Sequence, residues 1–289
     1  MQIKNEFLTV EIASLGAELM SIRSADGVEY LWQGDPSYWS GRAPILFPWV
    51  GRLFQGQYRY AGETYPLGIH GFARKLPFTC TAQGADFATW TLEANEETLA
   101  QYPFVFRFSV TYQLVGATLQ VTFCVENQDQ KPMYFAWGGH PGFNVPLVEG
   151  ETMADYSLEF SAPCRPDRIL FSSTNVLVDG ACPYPLEEET KLQLSHNLFD
   201  EDAIFLRHMA KEITMKSRKS GRGVSLSYPD MNYLGLWHMP KTDAPYVCIE
   251  PWSALPGREG VLEDISCRSD LWKAEPGEKK ESTWSIRVF

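Results

Sequence analysis

The chain lacks what a membrane or nucleic-acid partner would require. No uncharged apolar run approaches the ~20 residues of a membrane-spanning helix; the longest, such as 43–50, are far shorter. Basic residues are in the minority, 25 Lys and Arg against 36 Asp and Glu, for a formal net charge of −11 over 289 residues. Binding a phosphate backbone takes a basic face, so no nucleic-acid partner is expected. The opening stretch alternates polar and apolar residues and carries Glu6, Glu11 and Glu18, unlike a secretory signal. A cytoplasmic protein without a membrane partner is the resulting expectation. Cysteine is sparse as well: Cys80, Cys124, Cys164, Cys182, Cys248 and Cys267 include no C-x-x-C pair. That excludes a zinc ribbon, a thioredoxin-like motif and a dense disulfide scaffold. All six are expected to be reduced, with Cys124 and Cys248 as small buried thiols in apolar stretches.

Helical periodicity is also scarce. Residues 35–39, 95–101 and 187–194 could each form a turn or two, but none carries a long 3.6-residue stripe. H-E-x-x-H, G-x-S-x-G and a G-x-x-x-x-G-K-[ST] phosphate loop are all missing. A metal site would have to be assembled by the fold alone, and neither metal nor cofactor is expected.

What the chain does have is alternation. Phe104, Phe106, Phe108, Val110, Tyr112 and Leu114 share one face, with polar residues dominating the other. After Gly116 and Ala117 the pattern resumes in Leu119, Val121, Phe123 and Val125, which predicts a hairpin with one buried face. Trp284, Ile286 and Val288 repeat the design, and 9–12, 88–92, 158–160 and 224–228 are shorter candidates. The 22 Gly and 19 Pro are scattered rather than gathered into a linker. The prediction is one all-β domain over 1–289, a large antiparallel β-sandwich with few short helices.

Four stretches break the alternation: ILFPWVGRL (45–53), GIHGFARKLPF (68–78), YFAWGGHPGFNVP (134–146) and CIEPWSALPG (248–257). Each sets an ionisable group beside Gly or Pro and large apolar residues: Arg52, His70, His140 and Glu250. His70 reads equally well as a core histidine. His140, in a turn with little core to bury it, reads as functional. Glu250 follows a buried-looking strand, where a carboxylate must be paired, protonated or waiting for a ligand. Arg52 is either its ion-pair partner or a ligand contact. Trp237 and Trp252 are candidate stacking platforms or core residues, whereas His196, His208 and His238 read as ordinary. One carboxylate with histidines suits general acid–base work on a neutral polyol.

In order and residue type, the four stretches resemble the aldose 1-epimerase (galactose mutarotase-like) family, in particular its shorter bacterial branch. The resemblance runs from Arg52 to Glu250 and implies that family's large β-sandwich and a small-molecule sugar substrate. It implies that Glu250 is the general base on the anomeric hydroxyl and His140 the general acid on the ring oxygen. His70 and Arg52 resemble residues that orient the sugar. Asp202 in FDEDAIF is similar to an aspartate that holds sugar hydroxyls, with Asp200 and Glu201 adjacent and a solvated acidic turn as the other reading. The motifs near Arg52 and His70 are shorter than in the longer galactose-acting members, which leaves free hexoses, sugar phosphates and unusual aldoses open. A non-catalytic sugar-binding or sensor protein is the alternative function. A lyase or hydrolase using Asp202 or Asp264 as a second carboxylate is a third.

Overall fold

A computed structural model describes residues 1–289. The two alternating runs form the expected hairpin, Phe106–Val115 pairing antiparallel with Thr118–Asn127 around the turn at Gly116 and Ala117. This hairpin lies within a nine-stranded antiparallel sheet. Its order is Lys191–Gln193, Tyr156–Phe160, Glu212–Ser217, Gly223–Ser227, Lys279–Val288, Thr118–Asn127, Phe106–Val115, Phe87–Glu93 and Thr79–Gln83. Its inner face carries Phe106, Phe108, Val110, Leu119, Val121, Phe123 and Trp284, all buried. Its outer face carries hydroxyl pairs between neighbouring strands, such as Thr89 with Thr111 at 2.9 Å and Thr122 with Thr283 at 2.8 Å. Period-2 alternation produces both faces at once: aromatic and branched side chains toward the core, cross-strand hydroxyl pairs toward water.

A second, eight-stranded sheet carries Trp237, Glu250 and Trp252 on its strands, while Arg52, His70, His140 and Asp202 lie in loops and turns. Along its main path run Leu177–Pro183, Asp167–Phe171, Ile204–Arg207, Tyr233–Trp237, Tyr246–Trp252, Gly138–Gly139 and Ile45–Leu46, and Gly142–Asn144 also pairs with Tyr246–Trp252. The chain is therefore nearly all β, as predicted, and a single hydrophobic cluster of 73 buried residues connects the elements. No helix is long and apolar enough to cross a membrane.

Of the three helical candidates, 95–101 forms the one α-helix, Glu96–Gln101. Asn95 caps it by accepting from the Thr98 N–H at 3.0 Å, while the Thr98 hydroxyl accepts from the Asn95 N–H at 2.9 Å. Residues 187–194 are instead a turn leading into the edge strand Lys191–Gln193, with Leu192 paired to Leu158. Positive φ at Glu188 and Glu189 turns the chain back before a helix can start. Residues 35–39 make a single uncontinued turn, closed by the Trp39 N–H on the Asp35 carbonyl at 2.9 Å. All six cysteines are free; Cys248 is buried as expected, but Cys124 is only half-buried because it sits among the outward-facing residues of its strand.

The sheets meet closely at Gly139. A Cβ there would lie 2.6 Å from the Trp284 indole of the opposite sheet. Only a residue without a side chain leaves room for that ring, which is itself in the core. Gly139→Ala is therefore expected to lower unfolding free energy by about 1–3 kcal/mol through overpacking. A urea midpoint that falls at unchanged m-value would show this. An unchanged midpoint would mean that the indole shifts freely.

Candidate active site

All seven residues of Tyr246–Trp252 are buried. On one side this strand pairs with Tyr233–Trp237, placing Gly235 opposite Glu250. On the other, Gly138 pairs with Trp252 and Gly142 with Cys248, a common register that sets His140 opposite Glu250. The ladder is interrupted between them. The Ile249 N–H donates to the Pro141 carbonyl at 3.1 Å. Amide directions alternate along a strand, so position 251 faces the same neighbour, but Pro251 has no N–H to give and neither has Pro141. Two missing donors open the sheet where a carboxyl and an imidazole face each other.

His140 Nε2 lies 3.3 Å from Glu250 Oε2, and the two side chains are 12% and 2% exposed. His140 thus stands in a break within a buried sheet rather than in the exposed turn expected from its Gly-rich surroundings. Burial raises the Glu250 carboxyl well above the usual glutamate range, and the Asp202 charge adds to the shift. Burial also drives the His140 imidazole down to about 3, with Arg74 contributing in the same direction. Both effects favour an uncharged pair carrying one proton.

His70 is fixed by its backbone. It has φ +63°, and its N–H donates to the Gly51 carbonyl at 2.9 Å. The Gly51 N–H donates back to His70 Nδ1 at 3.1 Å. With Nδ1 accepting, the proton of the neutral ring belongs on Nε2, which becomes a donor. Burial first, then His140, Arg74 and Arg52, hold this imidazole neutral. The next residue, Gly71, has φ +69°, and a Cβ on it would sit 2.2 Å from the Phe47 carbonyl oxygen. Glycine there lets the turn carrying His70 press against the sandwich.

Asp202 also has a positive φ, +79°. Trp237 Nε1 and the Ala203 N–H donate to its Oδ1, each at 2.9 Å, and Asn175 Nδ2 donates to its Oδ2 at 2.9 Å. Of the three adjacent acids, Glu201 and Asp202 line the cavity and Asp200 does not; Asp202 is the one locked in place. Asp264 caps a distant turn by accepting from the Ser266 N–H.

Arg52, His70, His140, Asp202, Trp237 and Glu250 all line one cavity of about 640 Å³, within the usual range for small-molecule sites. Arg52 makes no ion pair with Glu250; its guanidinium is exposed at the cavity, and His140 occupies the partner position instead. Trp252 both lines the cavity and belongs to the core. His208 is an exposed partner of Asp167, and His238 packs against His196 in the interior. Sequence reasoning missed three residues. Trp39 lies over His140 with ring centroids 5.0 Å apart, and edge-on to Trp237 at 5.6 Å. Asn175 orients Asp202. Arg74, four positions after His70, reaches the same cavity. Its place in the GIHGFARKLPF stretch was the available signal; for Trp39 and Asn175 only the fold supplies one.

His140, Cys248 and Glu250 bring one N, S and O atom within 4.8 Å of one another. Metal binding would need the thiol and carboxyl deprotonated, whereas burial raises both, the Cys248 thiol well above its ordinary range. This donor set therefore suits proton transfer better than metal ligation.

The site is a carboxyl–imidazole pair beneath an aromatic cavity in an antiparallel sandwich, and comparison with known proteins gives the family. The aldose 1-epimerase family model matches residues 1–264. The chain belongs to that family. It is 38% identical to the chromosomally encoded protein LacX of Lactococcus lactis subsp. lactis, over 100% of this chain and 99% of that protein. A galactose mutarotase related enzyme from Lactobacillus acidophilus superposes with a TM-score of 0.94 at 33% identity, covering 100% of this chain and 97% of the other. A galactose mutarotase-like protein from Lactobacillus casei gives 0.93 at 32% identity, covering 100% and 99%.

A carboxyl whose proton affinity is higher folded than unfolded contributes stability at acid pH, and loses it as pH rises from the ordinary glutamate range through its folded value. Glu250 is such a group. Glu250→Gln keeps the shape without the ionisation, so at pH 8 it is expected to be more stable than the parent, by about 1.4 kcal/mol for each unit of upward shift. The gap should close toward pH 4. Calorimetric melts across that range test this, and a parent that is the more stable at pH 8 would show a compensated carboxylate.

Proposed function

We propose that the protein is an aldose 1-epimerase that interconverts α and β anomers by acid–base opening and closing of the sugar ring. The observation that carries this reading is the Glu250–His140 pair, 3.3 Å apart and almost wholly buried beneath the cavity. Glu250 as carboxylate takes the proton of the anomeric hydroxyl while His140 as imidazolium protonates the ring oxygen. The C1–O5 bond breaks as the C1 carbonyl forms. Rotation about C1–C2 exposes the other aldehyde face, and the reverse transfers close the opposite anomer. The proton count balances: ring opening leaves a neutral carboxyl and a neutral imidazole, the state that burial favours in the free protein. Closure by the reverse transfers returns the carboxylate and imidazolium; in the free protein, one proton passing from Glu250 to His140 sets up that charged pair for the closed ring.

The remaining residues suit orientation. His70 Nε2–H and Arg52 are donors for sugar hydroxyls, and Asp202 is an acceptor. Trp39 and Trp237 offer flat faces for sugar C–H groups. Both Asp202 oxygens already accept hydrogen bonds, which fits a positioning role better than that of the mobile second acid of a hydrolase.

Saturation-transfer NMR of anomer exchange on a panel of aldoses tests the proposal. Acceleration by the parent is expected, with a loss of roughly 10²–10⁴-fold in kcat for Glu250→Gln and for His140→Asn, at retained fold. Parental rates in both variants would overturn the acid–base assignment. Saturable sugar binding by the parent without faster exchange would make it a sugar-binding protein instead.

A further inference from the structure

The cavity is longer than ring opening at one carbon requires. Across the sheet, Gly235 stands opposite Glu250 and Phe205 opposite Gly235. The next strand, Asp167–Phe171, pairs with Ile204–Arg207, and Phe171 and Ser172 also line the cavity. Three strand spacings of about 4.8 Å therefore separate the strand of Glu250 from that of Phe171, roughly 14 Å in all. By bond lengths of about 1.5 Å, a pyranose measures roughly 5–6 Å from O1 to O4. One ring seated over Glu250 leaves more than half of that length uncovered. The floor along it is aromatic. The Phe205 ring lies 4.4 Å from that of Trp252 and 5.0 Å from that of Phe171, centroid to centroid, and Trp252 meets the His70 ring edge-on at 5.5 Å. Gly235 permits this row, because a Cβ there would lie 2.8 Å from the Phe205 ring and would displace it. Trp252 and Phe205 are buried, whereas Phe171 is only half-buried. The row thus runs from the acid–base pair toward Cys182, an exposed residue of the outermost strand that lines the cavity's far end.

We propose that Phe171 and Asn175 form a second sugar subsite, and that the preferred substrate is the reducing end of a disaccharide or longer oligosaccharide. The proposal rests on the epimerase reading for the reacting ring. Anomer exchange requires a free hydroxyl at C1, so whatever fills the outer cavity must be attached through a hydroxyl elsewhere on that ring. A second sugar suits the outer cavity because its C–H face is apolar and can lie on Phe171 while its hydroxyls need polar partners at the rim. Asn175 offers one: its Nδ2 is engaged by Asp202 at 2.9 Å, which leaves Oδ1 to accept. Ser172, next to Phe171, lines the same wall. Phe171 is remote from the bond that breaks, so stacking on it binds ground state and transition state alike and lowers KM rather than raising kcat.

Anomer exchange is compared for D-glucose with maltose, cellobiose, lactose and melibiose, which all end in a reducing glucose, and for D-galactose with galactobiose. At least one disaccharide should exceed its reducing-end monosaccharide at least tenfold in kcat/KM, chiefly through a lower KM. In Phe171→Ala the disaccharide-to-monosaccharide ratio of kcat/KM should fall toward one, and Phe171→Tyr, which keeps the flat face, should retain most of it. Monosaccharides turned over by the parent as well as every disaccharide would overturn the subsite, and this readout needs no variant. An undiminished preference in a folded Phe171→Ala would overturn the placing of the second ring. If the parent accelerates no sugar, calorimetry separates the two claims. Tighter binding of a disaccharide than of its monosaccharide then retains the subsite and removes the epimerase, whereas equal affinity removes the subsite.

Discussion

The arrangement depends on one constraint: a carboxyl group placed in the interior of a β-sandwich. Glu250 sits in a strand whose every residue is buried, where an isolated carboxylate would be untenable and a protonated one needs a partner. The imidazole of His140 is that partner. The strand register sets it opposite, and the ladder between the two is interrupted because prolines occupy two positions whose N–H groups would have closed it. Neighbouring features follow from the same requirement. Gly235 leaves room beside Glu250, since a Cβ there would lie 2.8 Å from the Phe205 ring and 3.2 Å from Glu250 Cβ, and Gly139 lets the Trp284 indole press against the backbone beside His140.

The molecule treats its structural and its functional charges differently. Behind the cavity, Arg268 bridges Glu263 and Asp270 and lies over the Trp49 ring at 5.3 Å. Asp270 in turn accepts from the Leu255 N–H, and the Gly257 N–H holds the Arg52 carbonyl. This cluster is paired throughout, and the cavity wall leans on it. The groups that face the cavity are left incomplete: Arg52 and Arg74 lack anions, and His140 Nδ1 is buried without a partner. Arg74 Nε and His140 Nδ1 are therefore unsatisfied where a ligand enters, while the carboxylates and guanidinium of the ionic buttress are all paired.

Much of this was legible in the sequence. The 104–114 and 118–125 runs announced their hairpin because alternation is a local property, and the inner and outer faces of Phe106–Val115 match it residue by residue. Arg52, His70, His140, Asp202, Trp237 and Glu250, drawn from separated motifs, converge on one cavity. What could not be read was pairing at a distance. No local rule shows that Pro141 and Pro251 silence the same edge, or that Asn175 reaches across to Asp202. The 187–194 segment has helix-forming composition, but two positive-φ residues and an available sheet edge took it into a strand. Trp39 looked like part of a short helix because nothing in its own neighbourhood mentions His140.

The charge of the chain as a whole is a poor guide to its cavity. A net −11 suggests a protein that repels anions, but at physiological salt the field of remote surface carboxylates fades within about 8 Å. A ligand inside the cavity responds to the groups lining it. There burial disfavours the charged form of Glu250, and the carboxylates Glu201 and Asp202 stand against the three guanidiniums of Arg52, Arg74 and Arg168, none of which is ion-paired. The acidic exterior and the cationic pocket are therefore compatible. Their separation also keeps the arginines available, since a nearby surface carboxylate would have closed on Arg74 as Glu263 closes on Arg268.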